Sequence, residues 1–293
     1  VADQQRGTDL VAPVVGWFDA NERPLPWRRT TPWGVLVSEL MLQQTPVDRV
    51  LPRWREWLTR WPTPADLAAA PQADAIRAWD RLGYPRRARY LHLAAGRIVA
   101  DHDGRVPDDE ASLRALPGVG EYTAAAVLAF AFGRRSLVLD TNVRRVLARA
   151  IDGRERQPAS ISAVERSTAE AVWPRRDARA ARWSAAVMEL GALVCTARAP
   201  ACDTCPIRTR CSWHAAGRPA DAVAPRRQAA YEGSDRQARG AVMAALRDSD
   251  GPVPIEEIAR RWPDDAQRDR AITGLLADGL AVRTTDGRLH LPH

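Results

Sequence analysis

Lysine is absent from all 293 residues, and every one of the 43 basic side chains is an arginine. No lysine amine is therefore available to form a Schiff base, which removes one covalent mechanism. Cysteine is absent outside one window of seventeen residues. No apolar run reaches the roughly 18–20 residues that a membrane helix needs. The start of the chain lacks the basic region and apolar core of a secretory signal. A soluble, cytoplasmic protein without a membrane partner is expected. Hydrophobic residues make up 45% of the chain and charged residues 27%, which excludes a disordered chain. The net charge of +7 is compatible with a nucleic-acid partner but does not establish one.

What is present is mostly helical in pattern. Apolar residues recur at helical spacing over residues 8–21, with Leu10, Val11, Val14, Val15 and Phe18 on the inner face. Further helices are expected over 32–44, 51–61, 63–69, 73–79, 86–101, 108–116 and 121–132. Others follow from Asp140 or Thr141 to about Ile151, over 160–172 and over 178–193. Beta signals are scarce before residue 230, so the fold class is all-α. A linker is expected over 219–230. After it come three helices, over 236–248, 254–262 and 265–277, and a hairpin over 281–291, a pattern similar to a winged helix. Residues 236–293 hold nine arginines and nine acids, so the positive balance lies in the helical body.

The cysteines stand as Cys195-x6-Cys202-x2-Cys205-x5-Cys211. Four thiolates can hold a structural zinc ion or an iron–sulfur cube. Two disulfides are the other possibility, which a cytoplasmic location disfavours. Leu116-Pro117-Gly118-Val119-Gly120 is a tight turn between two helices. Its glycines can take backbone geometry closed to other residues, and the helix that follows offers free N–H groups to a phosphate. An ordinary helix-hairpin turn reads the same way.

Two carboxylates stand out. Glu39 lies in Val35-Leu36-Val37-Ser38-Glu39-Leu40-Met41-Leu42, where burial is expected to raise its pKa and suit it to a general acid. Asp140 follows Leu137-Val138-Leu139 and precedes Thr141-Asn142-Val143. Its plain role is an N-cap. A helix start favours negative charge, so Asp140 is expected to stay ionised and could stabilise a cationic transition state. The two residues are 101 positions apart, and only a fold can bring them together.

At these residues the chain resembles the helix-hairpin-helix DNA glycosylases that carry an iron–sulfur cluster, and among them the adenine glycosylases of MutY type in their actinobacterial form. The resemblance spans about residues 8–217. It rests on Leu25-Pro26-Trp27-Arg28, Ser38-Glu39-Leu40-Met41-Leu42-Gln43-Gln44-Thr45, Leu116-Pro117-Gly118-Val119-Gly120-Glu121-Tyr122-Thr123-Ala124, Leu139-Asp140-Thr141-Asn142-Val143-Arg144-Arg145 and the cysteine loop. The resemblance implies a six-helix barrel lobe over 25–134 and a cluster lobe from 1–24 and 135–217. A linker over 218–235 and a winged-helix-like domain over 236–293 complete the expected organisation.

The implied activity is monofunctional excision of adenine mispaired with 8-oxoguanine or guanine in double-stranded DNA, a base excision repair reaction. The resemblance gives Glu39 the acid's role, Asp140 that of the sugar-stabilising carboxylate, and Tyr122 and Asn142 supporting places beside them. Trp27, Arg28, Leu42 and Gln43 would line the substrate site, Gln44 would act as a wedge, and Tyr84 would stack beside the orphan base. Gly118, Val119 and Gly120 would meet a DNA phosphate. Cys195, Cys202, Cys205 and Cys211 would hold one [4Fe–4S] cluster. A monomer, nucleoid-associated when on DNA, is implied.

Tyr122 stands where the related endonuclease III branch carries its Schiff-base lysine, so efficient strand cleavage is not expected. Thr141 replaces a glycine common in the family, and Pro85 stands where a second tyrosine is frequent. Residues 236–293 are too short for the Nudix-like domain that many members carry. Two other functions fit parts of the pattern: a glycosylase for thymine or uracil opposite guanine, and a non-catalytic DNA-binding protein.

Overall fold

The computed structural model describes residues 2–221 and 230–293, with side chains from residue 10 onward. Residues 222–229, within the expected linker, lie outside the described residues. The helices are α1 (Ala2–Asn21), α2 (Pro32–Leu42), α3 (Val47–Arg60), α4 (Pro64–Ala69), α5 (Gln72–Trp79), α6 (Arg86–Asp101), α7 (Glu110–Ala115) and α8 (Glu121–Phe132). There follow α9 (Thr141–Ala150), α10 (Ala163–Val172), α11 (Asp177–Leu193), α12 (Ser212–Ala215), α13 (Asp235–Arg247), α14 (Ile255–Arg261) and α15 (Asp265–Ala277). Two short strands, β1 (Val282–Arg283) and β2 (Leu289–His290), close the chain. Among the described residues no helix is long and apolar enough to cross a membrane.

The chain divides into two compact units. The first comprises Val1–Leu36, Asp108–Arg114 and Val119–Pro225. Its core packs Val14 and Phe18 of α1 with Val143 and Leu147 of α9 and with Trp183, Val187 and Leu190 of α11. Val15, expected on the inner face of α1, is only partly buried. Helix α8 is buried without a break from Thr123 to Ala129, which explains why its sequence has no polar face. Gly133 ends it in the left-handed region at φ +65°, returning its N–H to Ala129 O while Arg134 N reaches Leu128 O. A side chain at that φ would meet the steric penalty that glycine avoids.

One ion cluster fixes the approach of the segment after α1 to α11. Glu189 accepts hydrogen bonds from Arg23 N and Nε, both at 2.9 Å, and from Arg23 Nη2 at 2.7 Å. Arg28 Nη2 lies 3.0 Å from Oε2, the oxygen that also accepts from Arg23 Nη2. Burial alone would raise the Glu189 pKa, but the Arg23 hydrogen bonds and the Arg28 charge bring it below its ordinary value.

The second unit comprises Val37–Pro107, Ala115–Gly118 and Arg226–His293. Trp57 and Trp79 are fully buried and meet edge to face at 5.7 Å, with Trp61 at 4.7 Å from Trp57. Such pairs add roughly 0.5–1.5 kcal/mol beyond their buried area. Thr63 and Asp66 form a reciprocal capping box that starts α4. In the C-terminal segment α13 packs against α14 and α15, and Val242, Leu246, Ile258 and Leu275 are buried. Its hairpin is antiparallel, and Val253 bridges Leu289 to add a third short edge. The tail is tied to α5 and α6 within this unit. Arg77 Nη2 donates to Ser249 O at 3.0 Å, Arg247 Nη1 donates to Asp80 O at 2.8 Å, and Arg86 pairs with Asp278 at 3.2 Å.

Replacing Glu189 with alanine is expected to destabilise the protein by about 3 kcal/mol, the low end for breaking a buried pair, because Arg23 keeps part of its surface in water. The lowered carboxyl pKa means that this difference is full above pH 4.5 and fades as pH falls through the folded-state value. Urea unfolding of both proteins across pH 3–7 measures it; equal midpoints at pH 7 would discard the role given to this cluster.

Candidate active site

Asp140 caps α9. Its Oδ1 accepts from Val143 N at 2.6 Å, and its Oδ2 accepts from Asn142 Nδ2 at 2.8 Å. Asn142 Oδ1 in turn accepts from Arg145 Nη2 at 2.8 Å. The same Arg145 group donates to Gly191 O at 2.7 Å, and Arg145 Nε donates to Cys195 O at 2.7 Å. A continuous polar chain thus joins a carboxylate at one helix start to the first cysteine of the loop.

The N-cap placement agrees with the sequence, and burial adds an opposing pull on the same carboxyl. Burial pushes the Asp140 pKa above its ordinary value, outweighing the Val143 and Asn142 hydrogen bonds and the Arg145 charge that pull it down. A helix start favours the anion only modestly, whereas desolvation acts on the whole carboxyl. When ionised, this carboxylate has little water to screen it and is poised to meet a positive charge.

Gly191 makes the arrangement possible. A Cβ there would lie 2.7 Å from Asn142 Cβ and 2.8 Å from Asn142 O. Only a residue without a side chain lets α11 approach the first turn of α9 so closely. Tyr122, in the first turn of α8, packs against the core that contains Leu139 and Val143.

The four cysteines are free thiols, so the disulfide alternative is set aside. All four line one pocket, together with Val146, Arg149, Leu190 and Ile207. Arg149, 1% exposed, lies with Nη1 3.4 Å from Cys195 Sγ and donates to Thr196 O at 2.8 Å and Ala197 O at 3.1 Å. Its guanidinium stacks 4.6 Å from the Trp213 ring. Burial pushes the Cys205 thiol up to about 11 and raises that of Cys211. Buried thiols of this kind ionise when a metal supplies positive charge, so the donor set fits a metal-binding loop. Among the described residues, no three His, Cys, Asp or Glu side chains converge as they would around one ion.

In the second unit, Glu39 is 5% exposed and is flanked by buried Ser38, Leu40 and Met41. The expected burial is observed. Leu42 and Gln43 are half-buried, and Gln44 is exposed. Tyr84 is 54% exposed on the turn between α5 and α6. Gln44 and Tyr84 both adopt left-handed backbone geometry, φ 56° and 49°, which costs roughly 1–2 kcal/mol for a residue with a side chain. In the first unit, Trp27 is buried, and the Arg28 guanidinium is held against Glu189 and over the Phe18 ring at 4.7 Å.

The turn at 116–120 behaves unevenly. Gly118 has φ +79°, and a Cβ there would lie 2.7 Å from Tyr90 Cβ. Gly120 has φ −89°, which any residue adopts, so of the two glycines only Gly118 uses geometry closed to other residues. Gly120 instead faces open space, with nothing within 4 Å of its missing Cβ. It precedes α8 without a side-chain cap, leaving that helix start approachable. Val119, between the two glycines, is buried.

Arg145, Arg149 and Gly191 were not singled out by sequence. A glycine inside the helical stretch Leu190-Gly191-Ala192 is a costly choice, and that cost is the signal that could have marked it.

Residues 37–172 match the model of the HhH-GPD superfamily base excision DNA repair proteins. The chain is 51% identical over 284 residues to the adenine DNA glycosylase of Mycobacterium tuberculosis, covering 95% of this chain and 92% of that one. It is 49% identical over 286 residues to the adenine DNA glycosylase of Mycolicibacterium smegmatis, covering 96% of each. Among solved structures, a thermostable thymine-DNA glycosylase superposes with a TM-score of 0.66 at 24% identity, over 74% of this chain and all of that one. A non-covalent endonuclease III–DNA complex gives 0.63 at 23% identity, over 73% and 97%.

A Gly191→Ala substitution is expected to push Asn142 off Asp140 and to lower stability by about 1–3 kcal/mol, the usual range for overpacking. Thermal melting and a structure of the variant check this; an unmoved Asn142 with unchanged melting would show that the close approach constrains nothing.

Proposed function

Because this chain belongs to the adenine DNA glycosylases of the HhH-GPD superfamily, we propose that it hydrolyses the N-glycosidic bond of adenine mispaired with 8-oxoguanine or guanine in double-stranded DNA. The observation that carries this reading is the similarity to adenine DNA glycosylases over nearly the whole chain. The chemistry of the residues supports it. Adenine is a poor leaving group as an anion, so a proton must reach it as the bond breaks. Glu39, a buried carboxyl on an apolar helix, is the proposed donor to adenine N7. As the C1′–N9 bond breaks, its electron pair stays with the protonated base and the sugar becomes cationic. The Asp140 carboxylate is the proposed counter-charge, held by Asn142 and Val143. Water then adds to C1′ and loses a proton, leaving an abasic site.

Tyr122 takes a supporting place beside the sugar. Trp27, Arg28, Leu42 and Gln43 are proposed to shape the substrate site, with Arg28 in the orientation that Glu189 gives it. Gln44 and Tyr84, both exposed, are proposed to fill the space of the extruded base and to stack beside its former partner. The backbone of Gly118, Val119 and Gly120 would hold a phosphate, a contact that positions the duplex without reading its sequence. With no lysine in the chain, the product strand should remain largely uncut.

Cys195, Cys202, Cys205 and Cys211 are proposed to hold one [4Fe–4S] cluster. Four thiols lining one pocket are the donor set that such a cube requires. When bound, the cluster would supply a structural cross-link that stiffens the loop. The three-helix tail with its small sheet is proposed to be a winged-helix-like domain.

Excision assays on duplexes carrying adenine opposite 8-oxoguanine, guanine or cytosine test the function, with release expected from the first two. Release of thymine or uracil opposite guanine instead would favour the pyrimidine alternative, which needs no proton at N7. A Glu39→Gln variant is expected to lose at least about 100-fold in rate; wild-type turnover would remove Glu39 from the acid's role.

The acid limb of kcat/KM offers an independent check. Asn142 stabilises the charged form of Asp140, so Asn142→Ala should raise the Asp140 pKa further. The ionised fraction then falls at a higher pH, and the limb shifts upward. A shift downward, or none, would separate Asp140 from the pH dependence.

A further inference from the structure

Arg87 lies in the first turn of α6 and is 6% exposed. Its guanidinium is directed at two turns that are distant in sequence. Nη1 donates to Leu40 O and Met41 O, both at 2.9 Å, and to Gln43 O at 2.6 Å. Nη2 donates to Thr45 Oγ1 and Gly83 O, both at 3.0 Å, and lies 3.5 Å from Leu82 O. The flat face of the group lies 5.2 Å from the Trp79 ring centre and 5.4 Å from that of Tyr84. Thr45 Oγ1 repeats the bridge on a smaller scale, 3.3 Å from both Gln43 O and Leu82 O.

The chemistry explains why a guanidinium stands here. Helix α2 ends at Leu42, so carbonyls of its last turn lack intrahelical partners and carry the negative end of the helix dipole. A planar fork of donors can serve both the helix end and the facing turn at once, whereas an ammonium offers three donors from one point. Burial lowers the Arg87 pKa to about 10, so the group keeps its charge at neutral pH.

The two turns share a second property. Each carries one exposed residue with a side chain in left-handed backbone geometry, Gln44 in the first and Tyr84 in the second. Such conformations persist only where the surroundings over-determine them, and they concentrate at functional positions. Here the over-determining group is common to both.

We propose that Arg87 is a positioning residue that locks the Gln43–Thr45 and Leu82–Tyr84 turns into one DNA-recognition element, so that Gln44 and Tyr84 engage the two sides of a mispair in fixed register. This rests on the roles given above to Gln44 and Tyr84. Arg87 itself touches no reacting atom; it acts through the turns, where displacement by an ångström is enough to lower rate about 100-fold.

The test uses the full chain with Arg87→Met and Thr45→Val. Hydrogen exchange at residues 42–46 and 82–85 is expected to accelerate together, at least tenfold in Arg87→Met and less in Thr45→Val, while α8 is unchanged. Excision of adenine opposite 8-oxoguanine is then compared in a double-mutant cycle with Gln44→Ala and Tyr84→Ala. Each alanine should cost less than threefold in the Arg87→Met background and markedly more in the wild type. Multiplicative costs, or wild-type exchange in either turn, overturn the proposal. Should Arg87→Met fail to fold, Thr45→Val carries both readouts in the same directions. A wild-type protein that releases no adenine defeats the functional reading alone, because the exchange measurement still decides whether the two turns are locked.

Discussion

The position of Asp140 depends on the distance between two helices. Gly191 lets α11 press against the first turn of α9, and in that contact Asn142 has one amide edge on Asp140 and the other on Arg145. The polar chain from Asp140 to Cys195 runs through that contact. Arg145 can reach Gly191 O and Cys195 O only because the helices are that near. The carboxylate is consequently desolvated without being orphaned: it keeps its hydrogen bonds but loses much of its screening. A group in that condition interacts weakly with neutral surroundings and strongly with developing positive charge.

Arginine is used in this protein as structural mortar. Arg87, Arg145 and Arg149 are all buried, and the hydrogen bonds each makes go largely to backbone carbonyls of loops or helix ends, with Nε of Arg87 left over. A planar group with five donors can join several segments that have no regular structure in common. The cysteine loop, which has few apolar residues, is held by Arg149 at Thr196 and Ala197 and by Arg145 at Cys195. The net positive charge of the chain is therefore a poor map of its binding surface, because part of it is spent inside.

Much of the fold was legible in sequence because helical periodicity and caps are local. Helices α6, α8 and α15 span the expected residues, and Asp140 caps α9 as its type and position suggest. Glu39 was legible because a charged residue within an apolar run has few places to go. What escaped was non-local. Nothing adjacent to Arg87 announces that four of its partners, Leu40, Met41, Gln43 and Thr45, lie more than forty residues earlier. Gly191 gave a weak local sign, but the neighbour that demands it is Asn142 on another helix. The upward pull of burial on the Asp140 pKa was not legible for the same reason: a cap is read from the next three residues, whereas desolvation is a property of everything packed around the carboxyl. The Gly-x-Gly motif likewise does not say which glycine takes a positive φ; in the fold it is Gly118.

The C-terminal segment belongs to the same compact unit as residues 37–107, and its ties are reciprocal. Arg77 of the body reaches a carbonyl of the tail, while Arg247 of the tail reaches a carbonyl of the body. Modules joined in this way are poor candidates for free exchange during evolution. A different appendage would inherit a stranded guanidinium on one side and an unserved acceptor on the other, until the seam was rewritten in both partners.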